Sequence, residues 1–371
     1  MKAPLLTVLL SLLLPAAAPA APEKPPKKAE KTPQQVLLEE LKGRGLILFE
    51  KYMKNRRWDA YVMNADGTDI RQLTRTPDRH EHLVVAAPRG DRAFYVRTPS
   101  IDPNHKLLPF RNYAHNPWIW EGHLWSTDLA GKKHEAVRFL RDGFWAPVTE
   151  ASGTSAPNER TVVYGGAWDQ RISVLDLRTG HVKAYRVVVA PRHVACSPDL
   201  RCVWYAGPGD GWEMYRLDLR TGKVKGMGSK NFTWPTISHD GKKVVHCVSD
   251  RPELTDGIKD RSLVIRDALD GRHLRFLKGE KGVLHGCPAF SPDDRYLVYG
   301  TRRGMKTWTL NVMRLSDKVS VPIAAGPHRI NPCWIAPPTR DDGTFGHRDT
   351  EDTGKNGGKN PDSRSRKSGP S

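Results

Sequence analysis

The 371-residue chain is 38% hydrophobic and 27% charged, and its 59 Lys and Arg outnumber 41 Asp and Glu to give a formal net charge of +18. With a mean hydropathy of −0.58 and five scattered cysteines, it is neither a polytopic membrane protein nor a small disulfide-stapled scaffold. All but three of the net positive charges fall on Gly43–Pro338 rather than on the termini, so an acidic partner or surface is expected; ordinary solubility charge accounts for the same balance equally well.

Residues 1–20 read as a cleaved signal peptide. Lys2 supplies the positive start, Leu5–Leu14 the short apolar run, and Ala18-Pro19-Ala20 the small-residue cleavage site. The run is too short to span a bilayer, so a periplasmic or secreted protein without membrane insertion is expected. Residues 21–31 are rich in Pro, Lys and Glu and read as a flexible linker. A short helix follows within residues 32–43, with Thr32 as cap, Pro33 at its first position, Gln35 completing a capping box and Gly43 stopping it.

From Leu46 onward, short β-rich runs alternate with turns. One turn recurs as Ala87-Pro88-Arg89-Gly90, Ala156-Pro157-Asn158-Glu159, Ser197-Pro198-Asp199-Leu200, Ser238-His239-Asp240-Gly241 and Ser291-Pro292-Asp293-Asp294, with a worn copy at Ala336-Pro337. Its second positions lie 69, 41, 41, 53 and 45 residues apart. A second turn, ending mostly in Gly, alternates with it: Asn64–Gly67, Asp128–Gly131, Asp176–Gly180, Asp218–Gly222, Asp267–Gly271 and the weak Ser316-Asp317-Lys318. Each unit then holds four strands, A to D, with the first turn joining A to B and the second joining C to D. Six such units at this spacing predict an all-β, six-bladed β-propeller of four-stranded antiparallel blades over residues 44–338. The first unit has no strand A, while an orphan strand, Ile330–Ile335, follows the sixth. Pairing the two closes the ring and removes its open edges. Residues 339–371, rich in Gly, Asp, Lys and Ser, are expected to be a disordered tail.

Asp59–Gly67 followed by Arg71-Gln72-Leu73-Thr74, and Cys287-Pro288-Ala289-Phe290-Ser291-Pro292-Asp293, resemble the propeller repeat of the TolB family. The resemblance covers Gly45–Ile335 and implies the fold. It does not imply one activity, because such repeats serve binding proteins, peptidase propeller domains and some lyases. The family also carries an α/β domain before its propeller, whereas about two dozen mature residues precede Leu46 here.

In a propeller the A–B and C–D turns share one face, leaving the longer loops on the other. The largest insertion, Thr98–Gly122, lies there with Arg111, Tyr113, His115, Trp118 and Trp120, and neighbouring loops add Arg56, Arg57, Arg302 and Arg303. Arg192 and Arg329 stand where innermost strands begin. Alternating cations and aromatics are the composition expected for an acidic glycan or other anionic polymer; packing of the insertion onto its blade explains the aromatics equally well. Trp58, Trp168, Trp212 and Trp308 recur before strand C and are expected to pack between blades.

His82, His193, His285 and His328 stand near the starts of innermost strands. They could converge on the axis to ligate one divalent transition metal, or line a water-filled channel separately. Oligogalacturonate lyases are similar in being propellers with an axial, His-containing metal site. Cys196 and Cys202 flank a turn and could face each other, although burial of all five cysteines as small hydrophobes is the preferred reading. There is no C-x-x-C, H-E-x-x-H or G-x-S-x-G. The expected protein is therefore a monomeric binding scaffold without cofactor, for a protein partner or anionic polysaccharide of the cell envelope and not for nucleic acid. The alternative is a metal-dependent lyase or hydrolase acting on acidic oligosaccharides.

Overall fold

The computed structural model describes residues 30–337 except 54–57, 78, 80, 88, 98–121, 141–153, 159, 166–169, 192, 208–212, 229–231, 250–260, 278, 281, 304–307 and 327–328, and at some strand positions the backbone alone. The helix forms at Pro33–Leu41. Thr32 Oγ1 accepts from the Gln35 amide at 3.2 Å and the Gln35 side chain accepts from the Thr32 amide at 2.8 Å, which satisfies two otherwise orphaned helix donors. Leu37 and Leu41 are wholly buried against the first and last blades, and Glu40 accepts from Arg314 at 2.6 Å.

The described strands form six four-stranded antiparallel blades. Their innermost strands are Arg329–Ile335 in blade 1, Glu81–Ala86 in blade 2, Thr154–Asn158 in blade 3, His193–Cys196 in blade 4, Phe232–Ile237 in blade 5 and Val283–Phe290 in blade 6. The C-terminal strand does fill the vacancy at the start. Leu46 pairs with Ile335, Ile47 with Trp334, Leu48 with Cys333, Glu50 with Ile330 and Lys51 with Arg329.

The core is divided among the spaces between blades. Leu48, Val62 and Tyr95 pack between blades 1 and 2; Phe94, Val96 and Val162 between 2 and 3; Val163, Val203 and Tyr205 between 3 and 4. Trp204 and Val244 pack between blades 4 and 5, Val245 and Leu297 between 5 and 6, and Val298, Ile47 and Phe49 between 6 and 1. Successive residues of a central strand, such as Val162 and Val163 or Val244 and Val245, serve opposite neighbours because side chains alternate across a strand. Both sheet faces are therefore buried. This explains why these strands read as continuous apolar runs rather than alternating ones.

The same alternation separates the two cysteines. Cys196 pairs with Val203, so Cys202 is out of step by one position. Cys196 packs between blades 3 and 4 and Cys202 between blades 4 and 5. They do not face each other; all five cysteines are free thiols, four of them buried. Trp58 and Trp308 are buried in one apolar cluster, as their recurrence suggested; Trp168 and Trp212 lie outside the described residues.

One buried base makes the core sensitive to acid. His246 is fully enclosed, and burial together with the Arg266 guanidinium holds its pKa down at about 3. The unfolded chain takes up this proton near the ordinary histidine value, while the folded chain does not until about pH 3. Stability contributed by neutral His246 is thus complete above about pH 6.5 and declines below it by up to about 1.4 kcal/mol per pH unit. Urea denaturation of His246→Gln should show a shallower stability slope between about pH 4 and 6.5 than the parent protein. Equal slopes would contradict this account.

Candidate binding face and axial funnel

Backbone hydrogen bonds fix the two faces. Within one blade the C–D turn donates to the A–B turn: Leu177 to Arg160 at 2.7 Å, Leu219 to Arg201 at 2.9 Å, Ala268 to Lys242 at 2.8 Å and Leu315 to Arg295 at 2.9 Å. Both turn families therefore share a face. The turns also touch across blades, where the Asp294 carboxylate accepts from the His239 and Asp240 amides at 2.8 and 2.9 Å. The strand ends that flank the B–C connections and the beginnings of the innermost strands lie at the opposite face.

All six innermost strands surround an axial cavity of about 350 Å3. Its wall on the turn side is mostly Val, Ala and Pro, with Cys196, Cys287 and Cys333 among the few polarisable groups. Burial pushes the Cys196 and Cys333 thiols well above their ordinary range, so these are packed side chains and not thiolate nucleophiles. Two innermost strands bulge where a residue precedes proline. Trp234 before Pro235 and Cys287 before Pro288 have φ of 53° and 48°, in the left-handed region that side chains disfavour.

At the loop-rich end His193 and His285 are buried at the starts of their strands, but each is engaged with an aromatic ring. His193 meets Trp234 edge-on at 5.4 Å, and His285 stacks on Tyr299 at 5.7 Å. His82 lies in its strand opposite Val96, with its side chain outside the described residues, as is all of His328. No group of three or more His, Cys, Asp or Glu able to hold a metal occurs among the described residues. Two histidines alone are fewer than an axial metal requires, and the His82 and His328 side chains expected beside them lie outside the described residues.

Of the cations expected on this face, Arg302 sits 5.1 Å over the Trp308 ring, with no partner for its Nε among the described residues. Arg303 is exposed and forms an ion pair with Glu280. Arg329 is placed opposite Lys51 by the closing strand, with its side chain outside the described residues. Arg56, Arg57, Arg111, Tyr113, His115, Trp118, Trp120 and Arg192 also lie outside them.

Sequence reasoning missed a buried polar cluster at the root of the large insertion. Glu81 is fully buried, and its Oε1 accepts from Arg97 Nε and Nη2, each at 2.9 Å, and from the Thr76 hydroxyl at 2.5 Å. The Arg97 guanidinium lies 4.0 Å over the Trp125 ring and donates to the Tyr95 hydroxyl at 3.0 Å. Burial, the larger influence, raises the Tyr95 phenol above its ordinary range despite the opposing pull of Arg97. Glu50 and Asp59 are buried nearby at the loop-rich ends of blade 1; Glu50 accepts from the Val84 amide of blade 2 and Asp59 from the Gln72 side chain. The only signal in the sequence was the carboxylate between His80 and His82, which could not reveal its partner 16 residues away.

No protein-family model matches the sequence, and none of the curated proteins is detectably similar to it. Solved structures are similar in architecture. TolB from Acinetobacter baumannii gives a TM-score of 0.56 at 18% identity, covering 78% of this chain and 66% of that one. A protein assigned as TolB from Agrobacterium tumefaciens gives 0.53 at 14% identity, covering 80% and 94%. The fold is a TolB-like six-bladed propeller. The TolB-like architecture extends to unrelated contexts, since a chain of a nidogen/laminin complex gives 0.53 at 10% identity, covering 78% of this chain and 98% of that one. This chain spans 66% of the Acinetobacter TolB, just under two thirds of its length. Among the described residues no helix is long and apolar enough to cross a membrane.

Proposed function

We propose that this TolB-like propeller is an exported, non-catalytic binding protein that engages an acidic partner of the cell envelope, protein or polysaccharide, through its loop-rich face. The observation that carries the reading is the unequal fate of charges on that face. Glu50, Asp59 and Glu81 are buried and committed to internal hydrogen bonds, whereas Arg302 is partly exposed and Arg303 is exposed in its pair with Glu280. The long loops add further cations and aromatics at Arg56, Arg57, Arg111, Tyr113, Trp118 and Trp120. Long loops on a rigid ring are where propellers and other scaffolds place recognition. TolB proteins share the architecture, which supports a protein-binding role without naming a partner.

The test is binding of the mature chain to immobilised polygalacturonate and to an acidic protein, with metal analysis of the same preparation. Affinity for at least one ligand should fall steeply as salt rises from about 50 to about 500 mM. A combined Arg111→Ala, Tyr113→Ala and Trp118→Ala variant should bind at least about tenfold more weakly. Salt-independent binding would overturn the reading, as would stoichiometric metal with cleavage of the uronate polymer.

A further inference from the structure

A second surface lies on the outer rim, away from the loop-rich face. Of the seven large apolar side chains exposed among the described residues, three stand within eight positions of one another in blade 5: Leu269 at 72%, and Leu274 and Phe276 at 45% each. Leu274 and Phe276 lie on the outermost strand, His273–Leu277, which pairs on one side only with Arg261–Asp267. Among the described residues no strand pairs with its other edge.

Register shows which way these side chains face. Arg275 donates to the Leu315 carbonyl of blade 6, and Leu277 is buried between blades 5 and 6. Phe276, one step out of phase, pairs with Val264 and His246 in a row that faces blade 4. Blade 4 offers little cover, because its outermost strand is only Val224–Gly226. What it presents is positive. Trp204, Arg216 and Lys225 form one cross-strand row, and Trp204 faces blade 5, donating to the Ala268 carbonyl at 2.8 Å. Arg266 forms the floor of the groove, donating to the Met227 carbonyl at 3.1 Å. The nearby carboxylates Asp218 and Asp267 accept from amides of their own turns, and the Arg216 guanidinium helps to hold Asp218 below the usual carboxylate range. Apolar anchors, cations and a strand edge without a partner among the described residues are thus collected along the seam of blades 4 and 5.

We propose that the outer groove between blades 4 and 5 docks an extended, acidic segment of a protein partner. The segment adds as a fifth strand beside His273–Leu277, sets apolar side chains over Leu274 and Phe276, and directs carboxylates at Arg216 and Lys225. Main-chain pairing supplies affinity and alternate side chains supply selectivity, the general logic of strand addition. A polysaccharide lacks the amide ladder and the apolar side chains that this edge matches.

The probe is a fluorescein-labelled peptide of about eight alternating Glu and Val residues, titrated by anisotropy into the full mature chain. Saturable binding is expected, weakened at least about tenfold by Phe276→Asp and by Lys225→Glu. Both positions are exposed, so circular dichroism and urea midpoints should stay near those of the parent protein. A peptide N-methylated at alternate amides should fail to bind, and excess polygalacturonate should not displace the unmethylated one. No binding, binding indifferent to Phe276→Asp, equal binding of the methylated peptide or complete displacement by the polysaccharide would each overturn the proposal. Loss of polygalacturonate binding at the loop-rich face would leave these outcomes unchanged.

Discussion

Replacing Trp334 by Ala is expected to lower the unfolding free energy by about 3–5 kcal/mol, at the upper end for a single core truncation. Trp334 is buried in the strand that closes the ring, and its effect reaches beyond one side chain. Its ring lies 6.1 Å from that of Tyr296 in blade 6, and its indole N–H donates to the Arg44 carbonyl at 3.0 Å. It therefore joins the last blade, the first blade and the segment behind the N-terminal helix. Trp334→Phe keeps most of the apolar volume and loses the hydrogen bond, so about 1–2 kcal/mol is expected. Urea denaturation followed by fluorescence measures both. A cost below about 1 kcal/mol for the alanine variant would mean that the closing strand contributes little to the fold.

The second large effect lies at Arg97. Arg97→Met should cost about 3–5 kcal/mol, because it leaves the enclosed Glu81 carboxylate without its cation. The substitution also removes the guanidinium from the Trp125 face, worth about 0.5–2 kcal/mol. Adding Glu81→Gln to Arg97→Met should recover a substantial part of the loss, since the uncompensated charge goes and the amide can still accept from Thr76. Denaturation of the parent, the two single variants and the double variant completes the cycle. Strictly additive losses would show that the two side chains are not coupled. The cluster stands immediately before the 98–121 insertion, so the same variants report whether that loop depends on its buried root.

The ring was legible because its signals are local and repeated. Variants of two turns, clearest as Ser-Pro-Asp at 197–199 and 291–293 and as Asp-Leu-Arg-Thr-Gly at 176–180 and 218–222, recur from blade to blade, and the unpaired Ile330–Ile335 could be matched to only one vacancy. The Thr32 capping box was legible for the same reason, all of its groups lying within four residues. The site was not, because its contacts join residues on different strands. Nothing in the neighbourhood of Glu81 announces Arg97, and a histidine at the start of a strand looks the same whether it ligates a metal or stacks on Tyr299. The spacing of Cys196 and Cys202 suggested that they could meet, but one step of register sends them into different interblade cores. The exposure of Leu274 and Phe276 beside the short outer strand Val224–Gly226 was equally hidden, since it depends on how two blades meet.

Closure of the circle by the C-terminal strand is the central claim about the fold, and native-state hydrogen exchange tests it most directly. Amides of the paired segments 46–51 and 333–335 should exchange together, with protection free energies close to that of global unfolding. Exchange of 333–335 at the rate of an unstructured peptide, with 46–51 exchanging as an open edge, would contradict the ring.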